Sequence, residues 1–199
     1  MEKRYEAKTF SQLEGLAGIS DGLLRDHVKL YEGYVSNVNE LTGALSAITK
    51  EGKASGKNLA YAEMTRRLGF EYGGMVLHEL YFGNLARNPA PLAPDSALAK
   101  AAAKSFGSVE HWLADFKAIA AMRGVGWAIA FQNPADGLIS NHWVTLHQDG
   151  TPPGFRPIVV MDAWEHAFVP DYKPTERAKY VEAYFKNLDY RACEARLIK

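Results

Sequence analysis

The chain has 199 residues, 47% of them hydrophobic, with 23 Lys and Arg balancing 23 Asp and Glu. That balance gives no electrostatic case for nucleic acid or an anionic membrane as the main partner. The single cysteine, Cys193, excludes an intrachain disulfide framework and a thiolate metal cluster. The charged start MEKRYEAKTF lacks the apolar centre of a signal peptide, and no run approaches a membrane span. The expected setting is therefore a reducing, cytoplasmic one.

In chain order, Ser20 is placed to cap a helix beginning at Asp21. His27, Tyr31, Tyr34, Val38, Leu41, Leu45 and Ile48 then recur at steps of three or four, one face of a helix. EGKASGK (51–57) is a turn, and a second helix is expected from about Leu59 to Leu85, loosened by Gly69, Gly73 and Gly74. The two form a long antiparallel hairpin. RNPAPLAPDSA (87–97), with prolines at 89, 91 and 94, reads as a linker. Beyond it, Ser96–Phe106 and Val109–Ala121 are helical. GVGWAIAFQN (124–133), LISNHWVTLHQ (138–148) and RPIVVM (156–161) are strands, with NPADG (133–137) as a turn between the first two. PTERAKYVEAYFKNLDY (174–190) closes the chain as a helix with Pro174 in its first turn. The fold class is α+β: an N-terminal helical hairpin domain over 1–90, then an α/β domain over 91–199 with a small three-stranded antiparallel sheet.

One stretch needs explaining. The buried strand Ile158–Met161 runs straight into Asp162, Trp164, Glu165 and His166, and buried ionisable groups are costly unless paired or bound to metal. The histidines are 27, 78, 111, 142, 147 and 166, and any one alone is more often surface or satisfied core than a ligand. His27, however, lies on the apolar face of the first helix, and His78 lies in the apolar segment GGMVLHELYFGNL. Asp162 and His166 are four apart at a strand end. Three imidazoles and one carboxylate directed to one interior point suit iron, manganese or zinc. The alternative is a polar core cluster with Asp162 and His166 as an internal ion pair, and spacing alone leaves both open.

DAWEHAF (162–168) resembles the iron/manganese superoxide dismutase signature Asp-Val-Trp-Glu-His-Ala-Tyr. Ile19–Ser20 with His27 seven residues after Ser20, YVSNVN (34–39), HELYFGNL (78–85) and GVGWAIA (124–130) resemble further segments of that family, in the right order. The resemblance implies that His27, His78, Asp162 and His166 hold one iron or manganese ion per subunit. It implies that Tyr34 guards the substrate channel, that Trp127 and Trp164 wall the metal pocket, and that Arg177, followed by Tyr180, stands near the channel mouth. Glu165 is expected to reach across a homodimer or tetramer to the partner's ligand histidine. The implied reaction is disproportionation of superoxide to oxygen and hydrogen peroxide. Another metal-dependent oxidoreductase, or a non-catalytic member on the same scaffold, is the alternative.

The sequence departs from the family pattern at several points. A glutamine usually hydrogen-bonds the solvent on the metal. Iron enzymes commonly place it four residues before the second-helix histidine, where this chain has Gly74; manganese enzymes commonly have glycine there and send glutamine from the later strand. Here that later segment is TLHQDG (145–150), and counting back from Asp162 favours His147, with Gln148 the runner-up. Iron is slightly favoured, because the histidine variant occurs with iron in the family. Phe168 and Val169 stand where the family has two tyrosines, and Leu30 or Tyr31 replaces a second first-helix histidine. Finally, His27 and Tyr34 are seven residues apart where eight is usual. Seven helical steps return to within about 20° of the starting face, so an uninterrupted α-helix, with no π-turn, is expected to aim both at one site, with Tyr31 filling the missing histidine's space.

Overall fold

A computed structural model describes residues 4–198. Helix α1 (Asp21–Lys50) starts where expected, with the Ser20 side chain accepting from Leu23 N. It is α-helical throughout, His27 to Tyr34 included. Leu23, Leu24, His27, Tyr31, Val35 and Val38 are buried. The apolar face thins beyond Val38: Leu41, Leu45 and Ile48 are only half-buried.

Helix α2 (Leu59–Phe82), capped by Asn58, runs back along α1. It ends three residues earlier than expected, because Asn84 and Leu85 leave the helix to meet the chain's end. Leu85 bridges Leu188, and Asn84 O accepts from Asp189 N at 2.7 Å. Helices α3 (Ala97–Phe106) and α4 (Val109–Ala120) are capped by Ser96 and Ser108.

The sheet has strands β1 (Gly126–Gln132), β2 (Ile139–Thr145) and β3 (Arg156–Asp162), antiparallel in the order β2-β1-β3. All of β1 is buried, as a central strand covered on both faces must be. Its register sets Trp127 opposite Asp162. β2 stops at Thr145 instead of continuing to Gln148. Leu146 takes a left-handed φ of 54°, and Thr145 and Asp149 close a tight turn through two backbone hydrogen bonds of 2.7 and 3.1 Å. A bulky residue with positive φ is a genuine outlier, and here it swings His147 off the sheet and inward.

The closing helix is also interrupted. Pro174–Glu176 forms a 3-10 turn, α5 spans Arg177–Lys186, and a further short helix, α6 (Tyr190–Glu194), follows a break. Asn187 sits at that break with its amide bonded to Ala17 N, Ala17 O and Ala183 O. Side-chain amides that bond local backbone compete with helical hydrogen bonding. Asp189 then caps α6. A continuous buried cluster joins both hairpin helices, the sheet and the C-terminal helices.

Candidate metal centre

Four elements deliver four side chains to one interior point. α1 supplies His27, α2 supplies His78, the end of β3 supplies Asp162, and a 3-10 turn at Glu165–Ala167 supplies His166. One ligand atom from each lies within 4.8 Å of all the others. The Nε2 atoms of His166, His27 and His78 stand 3.1, 3.2 and 3.6 Å from the same oxygen, Asp162 Oδ2. Asp162 is held from both sides. Its Oδ1 accepts from Trp164 N at 2.8 Å, forming the turn that folds His166 back over it, and its carbonyl accepts from Tyr180 OH at 2.8 Å.

The tautomer of His78 decides what this cluster can hold. Its Nδ1 lies 2.6 Å from Gly74 O, an acceptor only, so Nδ1 carries the proton. In the neutral ring Nε2 is then a bare lone pair. It is buried without a hydrogen-bond partner and faces a carboxylate oxygen. Two electron-rich atoms in a dry pocket repel, unless a cation sits between them. Ligand distances of about 2.0–2.2 Å to one ion put its ligands roughly 3–4 Å apart, the spacing seen here. The residues therefore fit a mononuclear metal with nitrogen and oxygen ligands.

The electrostatics agree. Burial pushes the Asp162 carboxyl up, but His166 and His27 outweigh it and hold it well below the ordinary carboxylate range. Burial lowers the His27 and His78 imidazoles, with Asp162 opposing in both. Metal ligands must be deprotonated, and all of these directions favour that form.

Tyr34 and His147 close one side. The Tyr34 ring stacks on His78 at 5.1 Å, and its hydroxyl lies 2.8 Å from His147 Nε2. Thus the seven-residue spacing brings both α1 side chains to one place. Trp127 Nε1–H donates to His147 Nδ1 at 3.1 Å, so the neutral His147 ring carries its proton on Nε2 and gives it to the Tyr34 oxygen. The tyrosine's own proton is left pointing elsewhere. Burial lowers His147 to about 4 and raises Tyr34 to about 12. Trp164 stacks on His147 at 4.9 Å and on His166 at 5.7 Å.

The glycine pair in α2 makes this arrangement possible. A Cβ on Gly73 would lie 2.4 Å from His147 O, and one on Gly74 would lie 2.5 Å from the Tyr34 ring. A side chain at position 74 is thus excluded by Tyr34 itself.

Other sequence-selected residues fall outside the cluster. Gln148 is exposed, and its side chain turns back to His147 N at 3.3 Å, so it does not line the site. Arg177 bonds Met122 O, bonds Gly124 O at 2.8 Å and lies over Phe168; both terminal nitrogens are engaged on a loop. Glu165 is exposed and Val169 is 39% exposed. Tyr31 is buried, accepting from Lys8 N at 2.9 Å and donating to Glu79 at 3.1 Å. His142 contacts Ser140 at 2.8 Å on β2. Sequence reasoning missed Phe70, whose ring lies 4.4 Å from His147, and Glu71, buried next to it. They stand eight and seven residues before His78, two helical turns back on its face, which is the signal that points to them.

Comparison with known proteins agrees with this geometry. The family described as iron/manganese superoxide dismutases, C-terminal domain, matches residues 94–196. A protein of Aquifex pyrophilus named superoxide dismutase [Fe] is 32% identical over 98% of this chain and 92% of its own length. One of Cupriavidus metallidurans with the same name is 31% identical over 91% of this chain and 89% of its own. A Haloferax volcanii protein named superoxide dismutase [Mn] 2 is 31% identical over 85% of this chain and 82% of its own. With four convergent ligand atoms in a dry pocket and relatives of this kind along nearly its whole length, the chain belongs to the iron/manganese superoxide dismutase family.

Proposed function

We propose that this protein is a superoxide dismutase: two superoxide anions and two protons give one oxygen and one hydrogen peroxide. The observation that carries the metal site is the bare Nε2 of His78, buried and aimed at Asp162 beside two further imidazoles. The ligands would be His27, His78, Asp162 and His166. An iron or manganese ion held there would supply the one-electron couple that disproportionation needs.

The chain's own residues do the rest. One carboxylate among three neutral imidazoles would leave a bound di- or trivalent ion with residual positive charge, which would favour an anionic substrate. Trp127 and Trp164 exclude water from the ligands. Tyr34 accepts from His147 and so has its own hydroxyl proton available to a reduced oxygen species. His147 fixes that orientation and is fixed in turn by Trp127. His147, not Gln148, is the side chain we assign beside the metal's open position. Iron is favoured over manganese, on the histidine variant; the relatives' names include both metals. A homodimer or tetramer with Glu165 at the interface is supported by the exposure of Glu165 and by the 27% exposure of the neighbouring His166 side chain. No helix among the described residues is long and apolar enough to cross a membrane. The single, buried Cys193 fits a cytoplasmic setting.

Metal content measured alongside inhibition of superoxide-driven cytochrome c reduction tests this reading. The wild type should hold one redox metal per chain and be active. Asp162→Ala and His78→Ala should lose both properties, and either variant keeping full metal and activity would refute the assignment.

A further inference from the structure

Helix α2 carries a buried carboxylate that the chemistry above does not use. Glu71 is 1% exposed; one of its oxygens accepts from Asn37 Nδ2 of α1 at 3.1 Å and the other from Arg67 Nε at 2.5 Å. A carboxylate so placed requires its cation, and it fixes where that cation stands. The pair is also oriented. The Glu71 side chain is 2% exposed and that of Arg67 52%, so the negative end lies inside and the positive end faces solvent. Among the described residues only Nε of the guanidinium has a hydrogen-bond partner; both terminal nitrogens are available to an anion. Arg177, by contrast, has both terminal nitrogens on loop carbonyls.

The position of Arg67 relative to the metal centre gives this cation a role. Its guanidinium lies 4.3 Å from the centroid of Phe70, and Phe70 lies 4.4 Å from His147 and 6.1 Å from Tyr34. Tyr34, Phe70 and Trp164 are half-buried residues beside the cluster, so they mark its open side. Arg67 stands at that rim. Its charge acts on His147 and on Tyr34, where the buried Glu71 carboxylate opposes it more strongly, so the positive end of the pair is directed to the solvent side.

We propose that Arg67, held outward by Glu71 and Asn37, is the cation that draws a small anion to the open side of the metal centre. That the anion is superoxide rests on the dismutase reading. Arg67 touches no reacting atom; it is a positioning residue acting through its field.

The test is made in a Glu71→Gln background, so that adding Arg67→Gln leaves no buried carboxylate unpaired and the comparison of the double variant with Glu71→Gln removes one unit charge. A unit charge about 10 Å away in water changes the local anion concentration roughly twofold. Relative to Glu71→Gln, the double variant should lose about twofold in its second-order rate with superoxide at low ionic strength, and the salt dependence should flatten. The second readout needs no catalysis. In a Trp143→Phe background Trp164 is the remaining half-buried indole, since Trp112 and Trp127 are 1% and 0% exposed. Quenching of its fluorescence by iodide should fall about twofold in the double variant, while quenching by neutral acrylamide stays the same. Arg67→Lys should retain most of the iodide quenching. Arg66→Gln, at an exposed neighbour paired with Glu63, should change neither readout. An unchanged iodide-to-acrylamide ratio in the double variant, or an equal fall in Arg66→Gln, would overturn the proposal. A wild type without dismutase activity whose iodide quenching still depends on Arg67 would overturn the dismutase reading and uphold this one.

Discussion

Three glycines of α2 should respond to alanine in opposite directions. In a helix, Gly→Ala normally stabilises by up to about 1 kcal/mol, because it restricts the unfolded chain. Gly69 has nothing within 4 Å of where its Cβ would stand, so Gly69→Ala should gain about 0.5–1 kcal/mol. At Gly74 the added methyl meets the Tyr34 ring at 2.5, 2.6 and 2.8 Å. Overpacking of this kind costs typically 1–3 kcal/mol, so after the propensity gain the net loss should be about 1–2 kcal/mol. At Gly73 the methyl meets His147 O at 2.4 Å and its carbonyl carbon at 2.9 Å. Backbone yields less readily than a ring, and Gly73→Ala should lose the most, about 2–3 kcal/mol. Urea denaturation of metal-free protein measures these differences without the linkage to metal release. A double-mutant cycle isolates the cause: in a Tyr34→Ala background, Gly74→Ala should be neutral or stabilising. If Gly74→Ala stabilises as much as Gly69→Ala in the wild-type background, the close approach of α2 to Tyr34 is wrong, and with it the explanation for the missing side chain at position 74.

Three other outcomes are expected. Zinc-loaded protein should be folded and inactive in the superoxide assay, since zinc has no accessible one-electron couple; activity with zinc would exclude a redox mechanism. Tyr180→Phe removes the hydrogen bond to Asp162 O and the 3.0 Å bond to the buried Tyr81 hydroxyl, and should cost about 1–3 kcal/mol by urea denaturation. Tyr81→Phe added to it should recover part of that loss, because no hydroxyl is then stranded. The metal-free protein should lose stability as pH falls from about 6.5 towards 4, because burial lowers the folded-state pKa of His147 to about 4 and the unfolded chain takes up the proton first. The share due to His147 is at most about 1.4 kcal/mol per pH unit. His147→Gln should flatten that slope and Gln148→Ala should not, as read from urea midpoints across the range.

Much of this fold is legible in the sequence, for identifiable reasons. Ser20, Ser96 and Ser108 are side-chain caps that act within three residues, so helix starts can be read locally. The apolar alternation of three and four residues in α1 follows directly from helix geometry, and the four ligands stand in segments that resemble the family. The ends of elements are less legible, because distant partners set them. Nothing in TLHQDG marks Leu146 as left-handed; that conformation is imposed by the Thr145–Asp149 closure and by what His147 meets inside. The break at Asn187 depends on Ala17, 170 residues away. Arg67 and Glu71 read as an ordinary surface pair four apart on a helix, and only the arrival of Asn37 from α1 makes the carboxylate buried.

These features bear on one another at the metal centre. The shortened spacing in α1 carries Tyr34 to the His27 face without a π-turn and lays its ring on His78 and against Gly74. That ring fills the space that a side chain at position 74 would need. The side chain that meets Tyr34 instead comes from the turn after β2, where the left-handed Leu146 delivers His147. His147 can approach only because Gly73 presents no Cβ to its carbonyl. Once there, its ring is bonded to both Tyr34 and Trp127, at 2.8 and 3.1 Å. The seven-residue spacing, the glycine pair, the left-handed leucine and the histidine in place of glutamine are thus parts of one packing solution. They are coupled at their contacts: a side chain at Gly73 or Gly74 would clash with His147 or Tyr34, and loss of His147 would leave the buried Trp127 indole N–H unpaired.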